Sequence, residues 1–201
     1  MPVYSYTLLH NRLMGPCERM VAESEQAPRP GHDIGTFAFA AIVLADAAIE
    51  IAIHHKIETS LPRPEQTPSE LVEVIRIARQ AILKRLPPLN RLRELGRILN
   101  VQGSWETGPW SLVSDLHEVR NALAHYEAGP VISDHPEAIT FPRRAQLEPI
   151  AKRLGTMARY HTNGVWLEVF LNPVCARWAY TTADKALREL DSKMWQMALH
   201  F

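Results

Sequence analysis

Apolar residues recur at helical spacing along most of the chain, and strand-like alternation is almost absent. The segment Tyr4–Met14 has no clear period. Pro16 predicts the start of a short helix running to about Gln26, which Pro28, Pro30 and Gly31 break. The next helix is expected from about Thr36, read as its N-cap, to Ile57. Its apolar surface extends nearly all the way round, which predicts the central element of a bundle. Thr67-Pro68-Ser69-Glu70 opens another helix, with Thr67 as cap, Pro68 in the first turn and Glu70 closing a capping box. Leu71, Val74, Ile75, Ala78 and Ile82 follow at helical spacing, and Leu92, Leu95 and Leu99 continue a further helix beyond Pro87-Pro88. Helices are then expected over about Leu112–Tyr126, Ala145–Tyr160 and Pro173–Leu199, with residues 130–143 aperiodic and a short apolar stretch at Val165–Leu171. The expected architecture is all-α: one helical domain over residues 1–201, with a long central helix and a long C-terminal helix. Residues 1–32 form an N-terminal extension to a core of about 33–200.

Composition narrows the function classes. Lys plus Arg (22) equal Asp plus Glu (22), so the net charge is zero and a polybasic nucleic-acid coat is excluded. Charge is nevertheless uneven. Arg76, Arg79, Lys84, Arg85, Arg91, Arg93 and Arg97 face a single acid, Glu94, a local charge of +6 that can serve as a footprint for a phosphate backbone or be ordinary helix surface. Arg143, Arg144, Lys152, Arg153 and Arg159 form a second basic group. Cys17 and Cys175 are too few and too far apart for a disulfide scaffold or a CxxC metal knuckle. No leader pattern opens the chain, so the cytoplasm is the expected location. Asp46 and Glu50 interrupt the apolar run Phe37–Ile53, which is therefore read as a buried helix rather than a membrane span.

Two polar stripes stand out. On Leu112–Tyr126, at about 100° per residue, Leu112, Leu116, Val119 and Leu123 form one face. Ser114, His117, Asn121 and His125 gather opposite, with Arg120 between. Two histidines and an asparagine without lysine or glutamate make an unusual solvated face. On the central helix, Asp46, Glu50 and His54 stack at i, i+4, i+8. A buried carboxylate without a partner costs several kcal/mol, so Asp46 and Glu50 need cationic or hydrogen-bonding partners. Arg120, His117 and His125 are the candidates; the alternative is a Glu50–His54 pair at a solvent edge. Trp105 and Trp110, just before the His-bearing helix, either stack bases or anchor a loop.

The hexapeptide Arg120-Asn121-Ala122-Leu123-Ala124-His125 resembles the signature of the HEPN superfamily, an Arg followed by a polar residue and then by a His after four to six positions. Ala45–Ile53 is similar to the upstream HEPN helix with its acidic residue, for which Glu50 is the better match and Asp46 the second. The resemblance implies a small helical bundle acting as a metal-independent endoribonuclease, without cofactor, in toxin–antitoxin or other defence systems. Its expected partners are RNA, a second copy of the chain, and a cognate antitoxin or defence protein. It implies attack by the ribose 2′-hydroxyl, leaving a 2′,3′-cyclic phosphate. His125 is then the general acid/base, Arg120 the phosphate ligand, Asn121 an orienting group, and Glu50 the residue that sets Arg120. Arg79, Arg85, Arg91, His117 and Tyr126 are the expected RNA contacts. Arg120 and His125 lie about 140° apart on an ideal helix, so sharing between two chains is expected. A catalytically inactive HEPN-like dimer that binds RNA, nucleotide or a partner protein is the alternative. A metal-dependent bundle enzyme using His54, His117, His125, Asp46 and Glu50 is a third.

Overall fold

The computed structural model describes residues 7–26, 32–60, 89–91, 93, 105, 107–125, 144–157 and 166–198. The expected helix over residues 68–82, all but residue 93 of that over 92–99, the segment 130–143, and Arg79, Arg85 and Tyr126 lie outside them. Every regular element among the described residues is helical, as expected for an all-α chain. In chain order they are α1 (Thr7–Ser24), α2 (Ile34–Ser60), α3 (Trp110–Ala124), α4 (Arg144–Arg153), a 3-10 helix (Trp166–Phe170) and α5 (Pro173–Ala198).

The 27-residue α2 is the axis of the bundle. It packs most extensively on α1 and α5, which also meet each other; α3 lies against α2 and α5, and α4 docks on α3. Small residues at helical spacing line the buried face of α2: Ala38, Ala41, Ala45, Ala48 and Ala52. Ala176, Ala179, Ala183 and Ala186 do the same on α5. Side chains this small let helix backbones approach closely. The Cys17 thiol of α1 accordingly reaches the Ala41 carbonyl of α2 directly, at 3.3 Å. Ile42, Ile49, Ile53, Leu116, Leu147, Phe170 and Leu190 fill the remaining volume.

The helix ends correct the sequence reading in four places. First, α1 is continuous through Pro16 and starts nine residues earlier than expected. An interior proline costs about 3 kcal/mol, here offset by apolar burial of Cys17 and Val21 along one face. Second, Asp33, not Thr36, caps α2. Its carboxylate accepts from the Thr36 N–H (3.1 Å) and the Thr36 hydroxyl (2.5 Å). These two bonds hold the Asp33 carboxyl below its ordinary value.

Third, α4 stops at Arg153 rather than near Tyr160. Gly155, at φ 68°, turns the chain left-handed, and its N–H and that of Thr156 return to the Lys152 and Ala151 carbonyls at 3.0 and 3.1 Å. Fourth, α3 begins at Trp110 and ends at Ala124, two residues earlier at each end. By contrast α5 starts where expected, with Pro173 in the first turn and the Asn172 amide oxygen accepting from the Cys175 N–H at 3.1 Å.

Candidate functional site

The face of α3 that enters the core is Trp110, Val113, Leu116, Val119 and Ala122. Relative to the sequence reading it is rotated, because Trp110 and Val113 bury where Leu112 and Leu123 do so only in part. The rotation splits the expected polar stripe. His117 and Arg120 turn toward α2, Asn121 lies beside them, and Ser114 and His125 stay exposed.

The helices α2 and α3 thus bring together side chains about 70 residues apart in sequence. Asp46 is fully buried, one turn before Glu50 on α2. The Arg120 Nε donates to Asp46 Oδ2 at 2.6 Å, and Nη2 donates to Glu50 Oε1 at 3.0 Å. Nη1 donates to the Asn121 amide oxygen at 2.7 Å. His117 Nδ1 stands 3.3 Å from Asp46 Oδ2 and 3.7 Å from Glu50 Oε1. A carboxylate only accepts, so Nδ1 carries the proton in this contact. The partners demanded for Asp46 and Glu50 are therefore Arg120 and His117. His125 is not one of them: it is the exposed C-cap of α3 (φ −112°, ψ 34°), and its N–H donates to the Asn121 carbonyl at 2.9 Å.

Asp46 emerges as the anchor of the site, where the motif pointed first to Glu50. Its signal was in the sequence, as a carboxylate in the middle of an almost wholly apolar helix. Asn121 contacts the guanidinium rather than His125, which redefines what it orients.

Asp46, Glu50 and His117 present donor atoms within 4.8 Å of one another, and that set is suited to a cation. The Arg120 guanidinium already binds both carboxylates, and a divalent ion would have to displace it. Thiol chemistry is not on offer elsewhere: burial pushes both Cys17 and Cys175 up to about 12.

The other expected contacts fare differently. Trp105 and Trp110 are 3% and 0% exposed and pack edge to face, centroids 5.1 Å apart at 85°. They anchor the loop before α3 and offer no free ring face to a base. Arg91 is half-buried, its Nε shielded from solvent and without an acceptor among the described residues. In the second basic group, Arg153 is ion-paired with Asp115 and Lys152 with Glu148. The α2 stretch Ile34–Lys56 is long and apolar enough by composition to span a bilayer. Half of it is buried against other helices, and it carries the Asp46–Arg120 pair. No known family model, curated protein or solved structure matches the chain.

Proposed function

We propose that the chain is a metal-independent endoribonuclease of HEPN type that acts as a homodimer in the cytoplasm, as a defence or toxin effector. The observation that carries this reading is Arg120. A guanidinium has five N–H groups, and three are committed to Asp46, Asn121 and Glu50. The other two belong to the terminal nitrogens of a side chain that keeps 21% exposure. Two N–H groups are what the paired oxygens of a phosphodiester take. The carboxylates then act as the frame that stops the guanidinium rotating, so its orientation is settled before substrate arrives.

His125, exposed five residues on, is the proton carrier. The 2′-hydroxyl attacks phosphorus, its proton passes to a base, and the 5′-oxygen leaves with a proton from an acid. The products are a 2′,3′-cyclic phosphate and a 5′-hydroxyl. Each chain brings one exposed His125, and the two proton transfers are divided between the copies of a twofold dimer.

One observation favours a second reading, the inactive HEPN-like dimer that binds RNA, nucleotide or a partner protein. Asp46 and Glu50 set two carboxylates against the one guanidinium of Arg120, a poor setting for a phosphodiester. Labelled single-stranded RNA incubated with the purified protein in chelator separates the two. Cleavage to cyclic-phosphate ends, reduced about 10²–10⁴-fold in His125→Ala with unchanged folding, is the result expected. Binding without cleavage would leave the second reading standing, and activity returning only with added metal would replace both.

A further inference from the structure

A concavity lies between the first turn of α3 and one face of α5. It has a volume of about 380 Å³, within the range of small-molecule sites. Pro109 and Leu112 form one wall; Val174 and Trp178 supply an aliphatic and an aromatic surface opposite. The polar lining is made of Thr181, Thr182, Arg177 and Lys185, with no carboxylate among the described residues that line it.

Three features make this more than a surface dent. Thr182 is 2% exposed and has no hydrogen-bond partner among the described residues, although it lines the cavity. A hydroxyl that lines a cavity can donate to an acceptor placed there. Arg177 is already held by Glu25, in a two-pronged pair (Nε to Oε1 2.9 Å, Nη2 to Oε2 2.5 Å). Lys185, on the same face two turns on, has no ion pair among the described residues. The groove therefore combines an exposed cation, a hydroxyl and an aromatic wall with apolar sides.

We propose that this groove binds a small organic anion with a flat ring. The ring lies along Trp178, Leu112 and Val174, the anionic group meets Lys185, and an acceptor on the ligand takes the Thr182 hydroxyl. A lone inorganic anion would leave the apolar walls unused, and a neutral ring would leave Lys185 unpaired. Nucleotides and aromatic carboxylates share this chemistry. The groove shares no residue with the Asp46–Arg120 cluster, and its binding does not depend on the ribonuclease reading.

Titration calorimetry on the intact chain tests it, with adenosine 5′-monophosphate and 4-hydroxybenzoate as the two probes and adenosine and inorganic phosphate as controls. At least one probe is expected to bind more tightly than either control, and the stronger probe identifies the source of the ligand. Lys185→Glu, an exposed position, weakens that probe about tenfold or more. Thr182→Val, which keeps the shape and removes only the hydroxyl, weakens it several-fold. Thermal melts of both variants establish that they fold. No binding of either probe at millimolar concentration, or binding that both folded variants leave intact, overturns the proposal.

Discussion

The two sides of α2 are built on different physics. Toward α1 and α5 it presents alanines, and stability there comes from close backbone approach and apolar area. Toward α3 it presents Asp46 and Glu50, held by Arg120 and His117. The alanine side is robust to the loss of any one contact and intolerant of added volume. The charged side is the reverse: no single bond in it adds much, but removing one partner leaves a charge stranded in the core. A helix that needs only a core has no use for the second arrangement, so the charged side is where function is to be sought.

The largest effect expected from breaking this contrast is at Arg120. Arg120→Met leaves Asp46, fully buried, without its cation, and should cost about 3–5 kcal/mol in urea unfolding. Pairing it with Asp46→Leu should restore much of that loss. If Arg120→Met alone is harmless, the carboxylates are solvated and the contrast collapses. On the opposite side, Ala41→Leu places three carbons where the Cys17 thiol meets the Ala41 carbonyl, and overpacking of this kind costs about 1–3 kcal/mol. Equal stability of that variant would mean that the helices are not in close contact.

The smallest effect concerns pH. His10 on α1 is 4% exposed, and its Nδ1 has no hydrogen-bond partner among the described residues. Burial lowers its pKa below the ordinary 6.5, outweighing nearby Asp191, which raises it, and adding to Lys56, which lowers it further. The folded chain then binds less proton than the unfolded one. The stability His10 contributes is present above pH 6.5 and lost as the pH falls through its lowered value. Melting temperature measured from pH 7.5 to 5 should fall, and His10→Leu should flatten that slope; an unchanged slope would place the acid sensitivity elsewhere.

Much of the bundle was legible from residue order. Helical class, the central position of α2, the start of α5 and the need of Asp46 and Glu50 for Arg120 or His117 all follow from periodicity and the cost of a stranded carboxylate. Other features were not legible for identifiable reasons. Pro16 reads as a helix start because local propensity cannot see the face it helps bury on α2. Gly155 was a visible stop signal that the periodic residues beyond it masked. Trp105 and Trp110 read from the sequence as base stackers or loop anchors, and the fold decides for the anchor by packing one against the other.

Local order along the chain settles which segments are helical and which side chains cannot be buried alone, because both depend on neighbours three or four residues away. Which partner each buried charge receives is a different matter. Asp46 meets Arg120 across 74 residues of chain, while His125, an equal candidate on paper, ends outside the core as a helix cap. That choice depends on the rotation of α3 about its own axis, set by where Trp110 and Val113 find room, and only the packed molecule determines it.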